Sequence, residues 1–402
     1  MVAQSSRLAT GAFLIIALHG QFQPDARAEG TAGCGLNSWE TRPPLVNTWL
    51  RDIAYDATSG FVAVGDYGQL LTSIDGESWT LREQPVSIGF ARVRRVDGRY
   101  IAMGRQFGAG PMADSWSAVL WTSSDGLAWT PRYEVTNTVV NGVASGNGMF
   151  VAIAIETGSS GVATSRSLVS IDGVQWIVSG TIAESWMYDI AFGNGIFVAV
   201  GGSRIMASDD GATWVETPVP GVQALQAVGF HLGQFIAVGD RGTILTSPDG
   251  LEWTARVSGT TALLTGIAAG GGQLAVAGSA GTVLTSHNAV DWVSRVDSRL
   301  DLRGLAYGAD SFVAVGKYGT VYQSGGISAC SGPRLTLTRG LQSRLDLTGQ
   351  VGARHRIEYS DQLGGTWQLL LEIASLPESP YEIIDPTDSP TGQRFYRAIQ
   401  LP

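Results

Sequence analysis

The sequence predicts an all-β fold: a seven-bladed β-propeller whose N-terminal strand closes the last blade, followed by a small β-sandwich domain. Three features of the 402 residues lead to this prediction. An apolar pentapeptide occurs seven times, a corner that ends in tryptophan occurs six times, and 53 glycines separate short apolar runs. Short apolar runs between glycine turns are typical of antiparallel strands, and a repeat of about 40 residues is the length of one propeller blade.

Residues 1–28 are predicted to be a signal peptide. Arg7 precedes the apolar run LATGAFLIIAL, and the segment ends in ARA at residues 26–28, which is an A-x-A cleavage pattern. The apolar run is too short to span a bilayer, and no later segment approaches a membrane span. We therefore expect a mature chain that starts at Glu29 and is exported, so that it is secreted, periplasmic or associated with the cell surface.

The propeller is expected to occupy residues 29–332. In each predicted blade the pentapeptide follows a short strand and precedes a turn and a further strand. The copies are about 40 residues apart, except around the second and third copies. They begin at Phe61, Tyr100, Phe150, Phe197, Phe235, Leu274 and Phe312.

The tryptophans give an independent count of the blades. The seventh copy, from Leu302, lacks a tryptophan corner, whereas the N-terminal NSWETR around Trp39 matches the segment around Trp253. The N-terminal segment is therefore predicted to supply the outer strand of the last blade. The other corners, such as SIDGESW and SPDGLEW, end at Trp79, Trp129, Trp176, Trp214, Trp253 and Trp292.

The two cysteines flank the predicted closure of the ring. Cys34 lies just before the N-terminal strand, and Cys330 lies just after the third strand of the last blade. Since export favours disulfides, we expect these cysteines to form one. On the loop-entropy account it contributes on the order of 5 kcal/mol. The alternative is two unrelated buried thiols.

The tryptophan corners resemble Asp-box motifs (bacterial neuraminidase repeats), in which Ser-x-Asp, glycine and a downstream aromatic residue define a β-hairpin. Here glycine follows the aspartate directly, as in Asp75-Gly76, and the last corner carries Asn288-Ala289 instead. Similar propellers occur in sialidases, xyloglucanases and photosystem II assembly factors, so the resemblance implies the fold and no particular reaction. Because one active site does not need six copies, we interpret the corners as hairpin clasps, not as catalytic or metal sites.

The composition argues against several classes of function. The net charge is -9 and Lys317 is the single lysine, so neither a nucleic-acid partner nor an anionic membrane surface is expected. The histidines of the predicted mature chain have no ligand spacing, and no phosphate-binding or dinucleotide motif is present. No metal and no cofactor are predicted.

Ligands of propellers usually meet the face where the inner strands begin, over the central channel. On this face the repeats diverge, and two loops are enlarged, residues 105–117 and 156–166. These loops are either specificity loops or tolerated insertions. The charged and aromatic residues of this face suit a glycan, a peptide or a protein. The candidate binding residues are Trp49, Arg51, Asp52, Asp66, Tyr67, Arg105, Trp186, Tyr188, Asp189, Asp240, Arg241, Arg303, Lys317 and Tyr318.

The leading hypothesis is an exported, non-enzymatic propeller that binds a glycan, peptide or protein on this face. The alternative is a glycoside hydrolase or lyase that uses Asp52 and Asp66, with Asp189 expected to lie too far across the ring to join them. A further alternative is an assembly or scaffold factor. A sialidase is disfavoured, since the sequence has no Arg-Ile-Pro segment. The sequence leaves the oligomeric state open.

After Gly332-Pro333 the repeat stops, and residues 333–402 are predicted to form the β-sandwich. Six short strand-like runs, from Leu335 to Ile399, are separated by turn residues. The RIEYSD, GTW and RFYRA segments resemble a C-terminal sandwich module of large exported bacterial proteins. The resemblance implies an attachment or sorting domain, or a stabilising cap.

Overall fold

The computed structural model describes residues 12–15, 36, 38–82, 88–107, 116–136, 138–157, 162–219, 221, 223–296, 300–327, 334–339, 343–348, 354–361, 366, 368–374, 381–384 and 395–401. The chain divides into two compact units, one of Trp39–Gly325 and the other of Met1–Ser38 with Gly326–Pro402. Among the described residues, no helix is long and apolar enough to cross a bilayer.

The unit Trp39–Gly325 consists of seven four-stranded antiparallel sheets, which confirms the predicted seven-bladed β-propeller. The strands of blades 1 to 3 are β3 (Leu50–Asp56), β4 (Gly60–Gly65), β5 (Leu70–Ser73), β6 (Thr80–Arg82), β7 (Ile88–Val96), β8 (Arg99–Phe107), β9 (Trp116–Ser123), β10 (Thr130–Thr136), β11 (Thr138–Gly146), β12 (Met149–Thr157), β13 (Ala163–Ser170) and β14 (Ile177–Ala183). The strands of blades 4 to 6 are β15 (Asp189–Gly193), β16 (Ile196–Gly201), β17 (Arg204–Ser208), β18 (Val215–Glu216), β19 (Leu225–His231), β20 (Gln234–Gly239), β21 (Ile244–Ser247), β22 (Thr254–Arg256), β23 (Leu264–Gly270), β24 (Gln273–Gly278), β25 (Val283–Ser286) and β26 (Val293–Val296). Blade 7 is built from β27 (Leu302–Gly308), β28 (Ser311–Gly316), β29 (Val321–Ser324) and β2 (Trp39–Arg42).

The N-terminal strand closes the ring, as predicted. β2 pairs antiparallel with β29, with Arg42 opposite Val321. Gln323 of β29 fastens this pairing. Its side-chain oxygen accepts hydrogen bonds from Arg42 Nε at 3.0 Å and Nη2 at 2.8 Å. Its Nε2 donates to the backbone carbonyl of Asp75, in blade 1, at 2.8 Å, so that one side chain joins the closing strand, blade 7 and blade 1.

The core of the propeller lies between neighbouring blades. Side chains of a strand alternate between the two faces of a sheet, so the apolar pentapeptide on the second strand of a blade meets both of its neighbours. The aromatic residue that begins the pentapeptide also packs on the inner strand of its own blade. The ring centroids of Phe61 and Tyr55 are 4.6 Å apart, and those of Phe235 and Phe230 are 4.9 Å apart. The recurrence of the pentapeptide therefore reflects packing and not chemistry.

Each tryptophan corner is a hydrogen-bonded turn between the third and fourth strands. In blade 1, Ser73 Oγ donates to Asp75 Oδ1 at 3.0 Å, and this oxygen accepts the backbone N–H groups two and three positions further on at 2.8 and 2.9 Å. Trp79 Nε1 donates to the carbonyl of Gly76 at 2.7 Å. The serine bonds recur at Asp125, Asp172, Asp210, Asp249 and Asn288.

The corners also pack against the preceding blade. A Cβ atom on Gly250, in the corner of blade 5, would lie only 2.7 Å from a methyl carbon of Val198 in blade 4. A hydrogen bond also joins these two blades: the side chain of Asn194 in blade 4 donates to the carbonyl of Pro248 in the blade 5 corner at 2.7 Å. In blades 1 to 5 the corner glycine meets the preceding blade in this way, and blade 7 precedes blade 1. The corners therefore join neighbouring blades.

The second unit contains a two-sheet β-sandwich, as predicted. Leu345 and Leu347 of one sheet share a buried core with Ile357 and Tyr396 of the other sheet. The first sheet has the order β30 (Arg334–Arg339), β31 (Ser343–Thr348), β34 (Tyr381–Ile384). The second has the order β1 (Ala12–Ile15), β35 (Phe395–Leu401), β32 (Arg354–Ser360), β33 (Gln368–Ile373).

Two predictions concern segments that the structure describes little or not at all. Strand β1 comes from the apolar run of the predicted signal peptide, and it pairs with β35 through Ala12 opposite Ile399. This pairing does not test whether residues 1–28 are removed, so export stays a prediction. Cys34 and Cys330 lie outside the described residues, and their disulfide also stays a prediction.

Candidate functional site

A cavity of about 500 Å³ lies at the mouth of the central channel, on the face where the inner strands begin. Six of the seven blades contribute residues from the start of their inner strand, so the cavity lies on the axis of the ring and not within one blade. Its polar lining residues are Arg51, Asp66, Tyr67, Arg92, Arg105, Asn141, Gln226, Thr265 and Arg303.

A β-bulge at the start of the inner strand presents several of these side chains to the cavity. In blade 1 the pairing with β4 shifts between Leu50 and Asp52, so Arg51 is the extra residue. The same shift leaves Arg303 as the extra residue of blade 7. Bulges redirect a side chain without disturbing the flanking apolar positions, and they leave no pattern that sequence reasoning could detect. The corresponding residues of blades 2, 5 and 6 also line the cavity, namely Ala91, Gln226 and Thr265.

The lining carries an excess of positive charge, although the whole chain has a net charge of -9. Arg51, Arg92, Arg105 and Arg303 face a single lining carboxylate, that of Asp66. The guanidinium of Arg51 binds both oxygens of Asp66, from Nε at 2.8 Å and from Nη2 at 2.9 Å. This pair is neutral as a unit, and Arg92 also lies 3.4 Å from the carboxylate of Asp189, so the positive charge of Arg303 makes the mouth of the channel attractive to an anion.

Arg303 is a buried cation beside like charges. Burial lowers the pKa of Arg303, and repulsion from Arg51 and Arg92 lowers it further, whereas the nearby carboxylate of Asp301 opposes this shift. The Nε–H of Arg303 is buried and has no hydrogen-bond partner among the residues that the structure describes. A negative group placed beside Arg303 would relieve this repulsion.

Trp49 lies beneath three cations. The guanidinium carbons of Arg51 and Arg303 are each 5.1 Å from the centroid of the indole, and Lys317 Nζ is 5.8 Å from it. Lys317 Nζ also lies 4.9 Å from the ring centroid of Tyr318. These distances are those of cation–π contacts. Trp49 therefore organises the cations of the mouth.

An ion-pair network crosses the channel next to the cavity. Arg94 of β7 donates from Nη1 to Asp52 of blade 1 and from Nη2 to Asp189 of blade 4, the latter at 3.2 Å. Burial disfavours the charge on Arg94, but the two carboxylates outweigh burial and raise the pKa of Arg94. Arg92 Nη1 lies 3.4 Å from Asp189, and its Nη2 donates to the carbonyl of Gln226 at 2.9 Å. The arginine side chains of strand β7 thus contact residues of three other blades.

Asp189, which was expected to lie too far across the ring to join Asp52 and Asp66, is linked to Asp52 through Arg94. The side chain of Arg94 is long enough to bind both carboxylates from the side of the channel. Both carboxylates also accept a backbone N–H of the following blade, Asp52 from Val93 and Asp189 from Val228. Arg94 was absent from the predicted site, because nothing in the run VRRV distinguishes an arginine of the channel from an exposed one.

The carboxylates proposed for a hydrolase are both committed to other contacts. Asp52 is 5% exposed and binds Arg94, and Asp66 is held by Arg51. Asp66 binds guanidinium through both of its oxygens, and Asp52 contacts Arg94 through Oδ2, so both carboxylates are engaged by side chains of the protein itself. These contacts give the hydrolase or lyase alternative no geometric support.

The remaining predicted residues lie around the cavity or apart from it. Tyr67, which lines the cavity, is 78% exposed, and Tyr318 is 52% exposed. Arg241 is exposed and lines a separate open groove of about 770 Å³ beside the outer strand of blade 5. Of the two enlarged loops, residues 108–115 and 158–161 lie outside the described residues. Trp186 is exposed, whereas Tyr188 and Asp240 are half-buried, and none of these three is among the lining residues of the cavity.

Comparison with known proteins establishes the fold but no family. The sequence matches no protein-family model and no curated protein. YCF48 bound to D1 peptide is similar in structure, with 18% identity and a TM-score of 0.54 over 71% of this chain and 94% of that chain. YCF48 from Cyanidioschyzon merolae is 16% identical, with a TM-score of 0.51 over 71% of this chain and 98% of that chain. An inactive virginiamycin B lyase from Staphylococcus aureus with quinupristin is 11% identical, with a TM-score of 0.55 over 72% of this chain and 99% of that chain. At these identities the similarity shows a shared β-propeller fold, which this chain has in common with a peptide-bound protein and with a lyase.

Proposed function

We propose that this chain is an exported, non-enzymatic binding propeller whose channel mouth receives the carboxylates of an acidic peptide or protein segment. The observation that supports this proposal is the concentration of arginine around one cavity of an acidic protein, namely Arg51, Arg92, Arg105 and Arg303. The structural similarity to YCF48 bound to D1 peptide supports a peptide as the class of ligand.

The dimensions and chemistry of the mouth suit a carboxylate group attached to a larger segment. The cavity of about 500 Å³ is within the usual range of small-ligand sites, which is about 300–1,000 Å³, and is too small for a folded partner. A side chain or chain terminus would enter it, and the rest of the segment would lie over the exposed ring of Tyr67. Hydrogen bonds between guanidinium and carboxylate groups contribute about 1.5–3 kcal/mol each.

Binding of hexaglutamate, measured by isothermal titration calorimetry, tests this proposal. In an Arg303→Gln variant we expect the dissociation constant to rise about 10- to 100-fold, because one charge-assisted contact is lost. The matched control is Arg241→Gln, which removes an exposed arginine outside the cavity and should leave the constant within about twofold. Added salt should weaken binding, since the attraction is between charges.

Chemical labelling of Lys317 provides an independent measurement of ligand binding at the mouth of the channel. Lys317 is the only lysine of the chain, so an amine-reactive label reports on the mouth and on the N-terminus alone. Bound hexaglutamate should slow the labelling of Lys317 and leave that of the N-terminus unchanged. An equal loss of affinity in the Arg303 and Arg241 variants would contradict the proposal. A preference for oligogalacturonate over the peptide would assign the site to acidic glycans instead.

A further inference from the structure

The cations of the channel mouth come from both sides of the closure of the ring. We call this closure the seam and define it as β2, the link of residues 43–49, and the two turns that flank the link, Asp66–Gly68 of blade 1 and Lys317–Gly319 of blade 7. Arg303 and Lys317 belong to blade 7, whereas Arg51 follows the link at the start of blade 1. The ring of Trp49, in the link itself, contacts all three cations.

Backbone hydrogen bonds tie the link of the seam to both blades. The N–H of Gly319, in blade 7, donates to the carbonyl of Thr48 at 2.6 Å, and the N–H of Asp66, in blade 1, donates to the carbonyl of Trp49 at 3.0 Å. Strand β2 adds four residue pairs with β29. The side chain of Val46 packs on the core that blades 7 and 1 share. Each backbone bond of the link thus ties it to one of the two blades that must meet.

Cations of both blades lie close together at the seam, around the ring of Trp49. Burial lowers the pKa of Arg303 in blade 7, and the charges of Arg51 in blade 1 and Arg92 in blade 2 lower it further, whereas Asp301 opposes this shift. The Asp66 carboxylate is bound to Arg51 and does not reach across to blade 7 in the described contacts. A second carboxylate between Arg51 and Arg303 would be attracted to both sides of the seam at once.

We infer that occupancy of the channel mouth by a carboxylate ligand is coupled to closure of the ring, so that the bound segment holds blade 7 against blade 1. This inference rests on the proposed function and adds a regulatory consequence to it. A ligand that binds only the closed ring opposes opening by a factor of 1 + [L]/Kd, which is about 100-fold at a ligand concentration of 100 Kd. In return, any treatment that releases β2 must weaken binding of the ligand, because the two effects are linked.

Amide hydrogen exchange of the whole chain, with and without hexaglutamate, tests the coupling. The informative amides are those of β2 and β29, and the internal control is the short outer pairing of β17 with β18 in blade 4, which contributes no arginine to the mouth. At 100 Kd of peptide we expect exchange in β2 and β29 to slow by tenfold or more, up to about 100-fold, and exchange in β17 and β18 to change less than twofold.

Variants of blade 7 show whether the contact across the seam is responsible. Arg303→Gln and Lys317→Gln are each studied at a peptide concentration of 100 times the dissociation constant of that variant. The factor by which the peptide slows exchange in β2 and β29 should then be at least tenfold smaller than in the wild type. Lys317→Gln provides the test if Arg303→Gln does not fold. Binding of the peptide with equal protection of the seam and of blade 4 would overturn the coupling and leave the proposed function standing. Absence of binding to the wild-type chain would overturn both.

Discussion

At the scale of single residues, the corner at Asn288 separates the contribution of hydrogen bonding from that of charge. Asn288 Oδ1 accepts two backbone N–H groups at 2.9 and 3.0 Å, and Asp210 Oδ1 accepts the equivalent pair at 2.8 and 2.7 Å. The turn therefore needs an acceptor and not a negative charge. The carboxylate nevertheless responds to these donors: the N–H groups of Thr213 and Ala212 lower the pKa of Asp210 from its ordinary value of 3.8 to about 2.

We expect Asp210→Ala to lower the free energy of unfolding at pH 7 by about 1 kcal/mol, as the loss of a capping acceptor does elsewhere, and Asp210→Asn to lower it by less. Because the folded pKa is depressed, the contribution of the carboxylate is complete above about pH 4 and is lost as the pH falls towards 2. Urea unfolding at pH 7 and pH 3 measures both effects. The gap between wild type and Asp210→Asn should narrow at pH 3, and a gap that widens would contradict this account.

At the scale of strands and turns, the strands and corners that recur from blade to blade could be predicted from the sequence. The pentapeptides fall on the second strands of the blades. The bulges that expose Arg51 and Arg303 were not predicted, because a bulge adds one residue between apolar positions whose pattern is otherwise unchanged. Strand pairing could be predicted from the alternation of side chains, whereas the local backbone geometry of the bulges could not.

The seam replaces a repeated side-chain contact with a stronger one. In blade 5, Thr246 Oγ1 of the third strand accepts a hydrogen bond from Arg256 of the fourth strand at 2.9 Å. At the seam, Gln323 takes the place of this threonine and Arg42 takes the place of the arginine. Gln323 also donates to the Asp75 carbonyl and to Ser311 Oγ, which the shorter threonine could not do.

Gln323→Ala is therefore expected to destabilise the propeller by about 2–4 kcal/mol, because several buried hydrogen bonds are lost at once. The matched variant Thr246→Ala removes one such bond within a single blade and should cost about 1 kcal/mol. Urea unfolding followed by tryptophan fluorescence measures both values. Similar costs for the two variants would show that the seam depends on Gln323 no more than blade 5 depends on its threonine.

At the scale of the whole chain, counting repeats was enough to predict the number of blades and the closing strand. The contacts within the cavity were not predictable in the same way. Arg94 binds Asp52 and Asp189 from different blades, and Trp49 gathers cations from two blades, so both depend on how far long side chains reach across the channel. Sequence patterns fix which strand a residue occupies but not which distant side chain it meets.

The predicted disulfide between Cys34 and Cys330 belongs to this scale, because it would link segments near the two ends of the propeller. We expect the oxidised protein to yield one cross-linked peptide containing both cysteines in mass spectrometry without reductant. Replacing both cysteines by serine should lower the free energy of unfolding by an amount on the order of 5 kcal/mol on the loop-entropy account. Two alkylated thiols in the unreduced protein would show that the ring is closed without a covalent link.

The packing of the corners on the preceding blade has a consequence for folding during synthesis of the chain. The corners of blades 2 to 5 each pack on a blade that is synthesised earlier, so each can fold as soon as it leaves the ribosome. Blade 1 is different, because its corner and strand β2 both wait for blade 7. Arg42 and its partner Gln323 are 281 positions apart, and synthesis at about 5–20 residues per second takes about 15 to 55 s to cover that distance. Throughout that time strand β2 of the newly synthesised chain has no β29 to pair with, and this is the interval in which a chaperone or a neighbouring chain has access to it.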